Sequence, residues 1–230
     1  MEYSFILLSA GKGTRFGKST PKQYLSFSGK PMIVHTLERI DRVEDIAEII
    51  IVCNEDYIET IQSYINDYRI TKNIMFAKGG ESRQASVYNG LLIASQDNVI
   101  IHEAARPLVT EKDFRNLIQC EAENVTYTYS IPYTVLKKDS QENISGILER
   151  SELVNIQLPQ KFKKQDLLFV HKRAAEEKKL FTEDASAVYY YGKVAVRCIS
   201  GQSYNIKMTE YIDLLYGEML IREGIFKEND

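Results

Sequence analysis

The sequence predicts an α/β protein built on a mostly parallel sheet, and three observations carry that reading. Short, apolar, β-rich runs alternate with segments of helical period from Tyr3 to Ile131. Runs such as EIIIVC are apolar on both faces, as strands covered by helices on two sides must be. A loop rich in glycine and bases, LLSAGKGTRFGKSTPKQY over 7–24, directly follows the first run, and the carboxyl ends of strands in such sheets gather ligands.

Each element has a local reason. YSFILL (3–8) is short and apolar and makes the first strand. PMIVHTLERIDRV (31–43) puts Pro31 at a first helical position, where a missing N–H costs nothing. EIIIVC (48–53) is a buried strand, and DYIETIQSYINDY (56–68) brings Ile58, Ile61 and Ile65 onto one helical face. NIMFA (73–77) is a strand, and SRQASVYNGLLIAS (82–95) is a helix with Ser82 as its cap. NVIIHEA (98–104), TEKDFRNLIQCEAEN (110–124) and TYTYSI (126–131) close the alternation as strand, helix and strand. The pattern then breaks. PYTVLKKDSQENISGILERSEL (132–153) has two short apolar runs around the polar turn DSQEN, a hairpin-like arm too short to fold alone. It must pack on something, most simply a second copy of the chain. NIQLPQKF follows, then helices near 164–178 and 182–191, a strand VAVRCI (194–199) and a last helix near 209–223. Residues 1–230 are expected to form one domain with this arm.

Composition narrows the function. A chain of 230 residues, 44% of them hydrophobic, can bury a full core. A net charge of −3 argues against a general nucleic-acid binder. No apolar run approaches the roughly 18 residues that span a bilayer. MEYSFILLSAGKG, with an acid at position 2 and no basic leader, reads as a first strand and not as a signal peptide. Cys53, Cys120 and Cys198 lie far apart in apolar segments and match neither a disulfide framework nor a zinc pattern. They are expected to be buried small hydrophobes in a reducing cytoplasm. His35, His102 and His171 are too scattered to cage a metal.

The glycine loop fails two familiar templates. A P-loop needs GxxxxGK[ST], but Lys12 is followed by Gly13. A dinucleotide fingerprint needs closer glycine spacing than 11, 13 and 17, and an acid about twenty residues on. Here no Asp or Glu occurs between Glu2 and Glu38. That acid-free stretch carries Lys12, Arg15, Lys18, Lys22 and Lys30, a cluster of charge suited to a polyphosphate and to negative charge developing on phosphorus. Arg15 can fork onto two oxygens, whereas Lys22 supplies a compact point charge.

These residues resemble a known family. SAGKGTRFG…PKQY, GGESRQASVYNGL (79–91), HEAARPLVT (102–110) and NIKMT (205–209) occur in the order seen in nucleotidyltransferases that make CDP-polyols. The nearest branch acts on 2-C-methyl-D-erythritol 4-phosphate in isoprenoid synthesis, and a neighbouring branch acts on ribitol 5-phosphate in cell-wall and capsule synthesis. The resemblance implies a Rossmann-like nucleotidyltransferase sheet whose protruding β-arm serves dimerisation. It implies a cytoplasmic homodimer using CTP, a polyol phosphate and a divalent cation, Mg2+ in the reading of the family, held largely through the CTP phosphates. Carried over by residue, it makes Arg15 and Lys22 the catalytic pair. Ser9, Ala10, Gly11, Gly13, Gly80, Glu81, Arg83, Ser86, Ala104 and Lys207 become nucleotide-binding residues. Glu103, Arg106, Thr134 and Arg150 fall on the polyol side, some of them acting across the dimer.

Bland readings stand beside these. Arg83 could pair on its own helix, Arg106 could be structural before Pro107, and Thr134 could be an ordinary strand threonine. Asp184, in FTEDASAV, reads as a helix cap. Two departures from the family fall on the polyol side: Glu103 replaces an Asp, and Leu158 stands before Pro159-Gln160 in place of Thr, removing a hydroxyl expected near the polyol phosphate. Ribitol 5-phosphate or another polyol phosphate is therefore the alternative substrate. An NAD-dependent oxidoreductase and a non-catalytic nucleotide-binding relative are the alternatives of other classes.

Overall fold

The computed structural model describes residues 1–11, 13 and 20–227. Along the chain lie β1 (Tyr3–Leu8), the short β2 (Ser26–Phe27) and β3 (Lys30–Pro31), α1 (Met32–Asp41), β4 (Ile46–Cys53) and α2 (Ile58–Asp67). There follow β5 (Asn73–Lys78), α3 (Arg83–Ile93), β6 (Asn98–Glu103), α4 (Glu111–Gln119), β7 (Val125–Ser130), β8 (Leu136–Lys138) and β9 (Ile144–Ile147). The remainder comprises β10 (Val154–Lys163), α5 (Lys164–Glu176), α6 (Asp184–Ala187), β11 (Arg197–Ser200) and α7 (Tyr211–Arg222). Seven strands make one sheet in the order β11-β7-β10-β6-β1-β4-β5. All pairings are parallel except those of β10, which runs antiparallel to both β6 and β7.

Alternation along the strands divides the core. Phe5 and Leu7 of β1, with Ile49 and Ile51 of β4, pack with Ile100, Leu37 and Phe114 on one face. Ile6, Ile50 and Val52 point the other way and meet Val87, Leu91, Phe162 and Val170 from α3, β10 and α5. Each such fully buried side chain contributes about 1.5–3 kcal/mol. At Gly90 a Cβ would sit 2.7 Å from Ile6 Cγ2 and 3.1 Å from Val52 Cγ2, so glycine lets α3 lie close against the sheet. A third cluster, including Phe27, Met32, Met208, Leu214 and Phe226, fixes α7 beside the loop after β1.

Several expected boundaries shift. Pro31 stands just outside α1, which starts at Met32. The helix expected over 182–191 is a four-residue α6 followed by a π-turn, Val188–Gly192, ended by Lys193 at φ 52°. Helix 110–124 stops at Gln119, and the last strand starts only at Arg197. NIQLPQKF belongs to the ten-residue β10, whose register shifts between Gln157 and Gln160, around the cis Leu158–Pro159 bond. That irregularity accommodates a proline inside a paired strand. Of the three cysteines expected to be buried, Cys53 is, Cys120 is half-buried and Cys198 is exposed. Among the described residues no helix is long and apolar enough to cross a membrane.

Between β7 and β10 the chain leaves the main sheet as the β8–β9 hairpin, with Leu136 opposite Ile147. Its turn is held by Asp139 Oδ1, which accepts from the backbone N–H groups of Gln141 and Asn143 at 2.9 Å each. Ile144 and Ile147 are 71% and 83% exposed, apolar side chains with no cover from their own chain.

Candidate active site

The loop after β1 is shaped by small residues and tied down by polar ones. Ser9 N–H donates to Val52 O at 2.7 Å, continuing the strand pairing by one residue. Gln23 Nε2 donates to the carbonyls of Ser9 and Gly11, which clamps the start of the loop. Gly13 has φ +63°, a left-handed conformation that favours glycine, and a Cβ there would lie 3.1 Å from Lys22 N. The two ends of the loop therefore close on one another at Gly13, bringing buried Lys22 to the cleft. Arg15 lies outside the described residues.

Across the cleft, β5 hands the chain to α3 through GGES. A Cβ on Gly79 would overlap the Ala10 methyl, so this turn packs directly against the first loop. Ser82 caps α3, its Oγ accepting from Ala85 N–H at 3.0 Å, as its residue type predicts. Ser86 Oγ accepts from Gly80 N–H at 3.0 Å and donates to Ser82 O at 2.9 Å, fixing the turn from within the helix. At the third side, Met208 N–H donates to Ala105 O at 2.8 Å, tying the NIKMT segment to the end of β6 and setting Lys207 over the cleft.

The cleft measures about 610 Å³ and opens at the carboxyl ends of β1, β5 and β6. Ser9, Ala10, Gly11, Gly13, Lys22, Gly80, Glu81, Arg83, Ser86, Glu103 and Lys207 all line it, so one concave site gathers residues up to 198 positions apart (207 − 9). Ala104 is fully buried behind it, its N–H donating to Leu8 O, and Ala105 takes the lining position. Arg106 is buried beside the cleft, with NH1 on Asn205 O at 3.0 Å and Nε 3.9 Å from Glu103. Thr134 and Arg150 are exposed at the base of the hairpin, away from the cleft lining, and Arg150 donates to Pro132 O. Gln23, Ser82 and Thr209 line the cleft without having been singled out for it. Gln23 stands within the PKQY motif, and Thr209 lies two residues beyond Lys207.

Charge in the site is closely matched. Glu103 Oε2 meets Lys207 Nζ at 2.7 Å and Glu103 Oε1 meets Arg83 Nε at 3.1 Å. Burial alone would raise the Glu103 carboxyl, but Lys207, Arg83 and Arg106 outweigh it and hold the group at about 2. Arg83 also meets Glu183 at 3.1 Å and Asp184 at 2.7 Å. Burial would weaken its charge, yet Asp184, Glu183 and Glu103 together raise its pKa above the ordinary value. Asp184 is the first residue of α6 and caps nothing; its carboxylate instead joins Arg83 to His171, and burial, outweighed by Arg83 and the His171 hydrogen bond, leaves it at about 2. Glu183 goes the other way: burial, only partly offset by Arg83, pushes it up to about 6. His102 is buried with Nε2 on Arg106 O, and burial drives it down to about 3, so it stays neutral.

Leu158 has its side chain fully buried among the apolar residues of β10, α5 and α3 and does not line the cleft. The expected loss of a substrate-facing hydroxyl is thus a change in the core.

A family model described as IspD, 2-C-methyl-D-erythritol 4-phosphate cytidylyltransferase, matches residues 4–223. The protein of that name from Halalkalibacterium halodurans is 35% identical over 225 residues, covering 97% of this chain and 98% of its own. Its namesake from Clostridium botulinum is 36% identical over 224 residues, covering 96% and 97%. Among solved structures, a 4-diphosphocytidyl-2C-methyl-D-erythritol synthase from Anaerococcus prevotii shares the fold with a TM-score of 0.86 at 23% identity, over 96% of each chain.

Proposed function

The chain belongs to the IspD family of 2-C-methyl-D-erythritol 4-phosphate cytidylyltransferases, and from that premise we propose that it joins CTP to 2-C-methyl-D-erythritol 4-phosphate, releasing pyrophosphate. The observation that carries this reading is the convergence of Lys22 and Lys207, from opposite ends of the chain, on one glycine-walled cleft. A phosphate oxygen of the polyol attacks the α-phosphorus of CTP, a P–O bond forms there, and the bond to the departing pyrophosphate breaks in line. The nucleophile arrives ionised, so no general base is required. Glu103, at about 2, would be a weak base at neutral pH, in keeping with such a reaction. Catalysis then rests on holding two anions together and stabilising the transferring phosphorus.

In this scheme Lys22 and Arg15 act on the developing charge. Ser9, Ala10, Gly11 and Gly13 lie along the triphosphate, Gly80, Glu81 and Ser86 lie along cytosine and ribose, and Lys207 reaches the phosphates from the far side. The carboxylates lining the cleft are Glu81 and Glu103, and Glu103 is already matched by cations. A divalent cation such as Mg2+ therefore suits this donor set when held mainly by the CTP phosphates with Glu103 nearby, where it would neutralise phosphate charge. Thr134 and Arg150 lie away from their own cleft, at the base of a hairpin whose apolar side chains are bare. That arrangement supports a homodimer in which each arm crosses to its partner and Arg150 grips the polyol phosphate there, in the cytoplasm.

Pyrophosphate release with methylerythritol 4-phosphate, ribitol 5-phosphate and glycerol 3-phosphate side by side tests the substrate. The expected result is turnover with the first and little with the others. Preference for ribitol 5-phosphate would overturn the polyol assignment, and silence with all three would overturn the activity.

A further inference from the structure

Arg83 lines the cleft, its guanidinium hydrogen-bonded to two protein carboxylates, Nε to Glu103 and NH1 to Asp184, while NH2 lies 3.1 Å from Glu183 as an ion pair without a hydrogen bond. The guanidinium works as a joint between two carboxylates. On one side Glu103 passes from Arg83 to Lys207, at 3.1 and 2.7 Å. On the other, Asp184 passes from Arg83 to His171, at 2.7 and 2.9 Å. Five side chains from α5, α6, α3, β6 and the 205–209 segment thus form one continuous chain that ends at an ammonium in the cleft.

The far end of this chain is well buried. The Asp184 and His171 side chains are 1% and 2% exposed, so neither can exchange its partner for water. His171 Nε2 carries the proton that Asp184 Oδ1 accepts, which leaves Asp184 Oδ2 to face Arg83. A buried carboxylate held by a fixed donor has one low-energy orientation, and the fork of Arg83 inherits it.

We propose that Asp184, oriented by His171, is a positioning residue of the transfer reaction, acting through Arg83 and Glu103 to fix the Lys207 ammonium where the reacting phosphates meet. This rests on the cytidylyltransferase reading for its effect on turnover but not for the geometry itself. Its substrate-free consequence is that the Arg83 Nε–H is locked in place by residues remote from the cleft.

The test compares His171→Phe, which removes the donor, with His171→Gln, whose amide N–H falls where the imidazole Nε2–H lies. Pyrophosphate release should show kcat down about tenfold in His171→Phe, as expected for slight misplacement of a catalytic group. The KM for CTP should change less than about threefold, and His171→Gln should recover most of kcat. The Arg83 Nε–H resonance, identified by its loss in Arg83→Lys, should exchange with solvent faster in His171→Phe and slowly in His171→Gln and the parent. If His171→Phe does not fold, Asp184→Asn takes its place with the same expected loss of kcat and faster Arg83 Nε–H exchange. Equal impairment of the Phe and Gln variants, unaltered kcat, loss confined to the CTP KM, or unchanged exchange would each overturn the proposal. A parent silent in pyrophosphate release would count against the activity alone, since the exchange measurement still decides the relay.

Discussion

Replacing Glu183 by Gln should stabilise the protein at neutral and alkaline pH, and the structure sets both the size and the pH window. Burial moves this carboxyl from 4.5 to about 6, with the attraction of Arg83 offsetting part of that rise and the nearby Glu103 and Asp184 charges adding to it. Above pH 6 Glu183 is ionised in both the folded and the unfolded chain, and the folded state bears the larger cost of the charge. Below pH 4.5 it is protonated in both, and the cost vanishes. A rise from 4.5 to about 6 corresponds to about 2 kcal/mol. Gln keeps an acceptor for Arg83 and removes the charge. Urea unfolding at pH 4 and pH 8 should therefore show Glu183→Gln equal to the parent at pH 4 and about 2 kcal/mol more stable at pH 8. A variant less stable than the parent at pH 8 would show that the Arg83 ion pair outweighs desolvation, and the same difference at both pH values would show that the Glu183 charge is not its source; either result would refute the reasoning.

Lys22→Ala should collapse turnover while CTP affinity, measured by calorimetry, stays within about tenfold, or about 1.4 kcal/mol; an unchanged rate would mean that Lys22 has been misassigned. Mixing Lys22→Ala with Arg150→Ala, each nearly inactive alone, should restore roughly a quarter of parental activity if the arm acts in trans, because half the random dimers then hold one intact site; no recovery after exchange would place Arg150 in its own site. Leu158→Thr should cost about 1–3 kcal/mol in urea unfolding, because it buries an unpartnered hydroxyl, and leave polyol preference unaltered; a change of preferred polyol without loss of stability would put residue 158 back in the site. Gly90→Ala should destabilise by about 1–3 kcal/mol through the clash with Ile6 and Val52, and equal stability would show that α3 can lift from the sheet at no cost.

What the sequence disclosed divides along the range of the forces involved. Strands β1, β4 and β6 and the cleft-lining Gly11 and Gly13 were legible because hydrophobic alternation and glycine chemistry are local: Ile6 and Leu7 declare opposite faces within two residues. Ser82 was legible as a cap for the same reason, and its hydrogen bond to Ala85 spans three residues. Strand β10 was not assigned, since a proline within a glutamine-bearing run argues against a central strand. Only the bulge between β7 and β6 shows how the sheet accepts it. Asp184 was misread for a deeper reason. An acid beside a short helical stretch is locally a cap, and nothing near it in the chain reveals Arg83, 101 residues away. A buried charge is placed by whichever opposite charge the packing brings within reach, a question of how α5 and α6 seat on α3 and not of the adjoining residues. The same holds for Lys207 and Glu103, whose 2.7 Å contact joins segments 104 positions apart (207 − 103). Motif order could name those two residues without their contact, while Thr134 and Arg150 gain their meaning only if a second chain supplies the cleft they face. Local chemistry thus located the glycine-lined wall of the cleft, whereas its charge balance, on which the proposed positioning of Lys207 depends, is a property of the assembled fold.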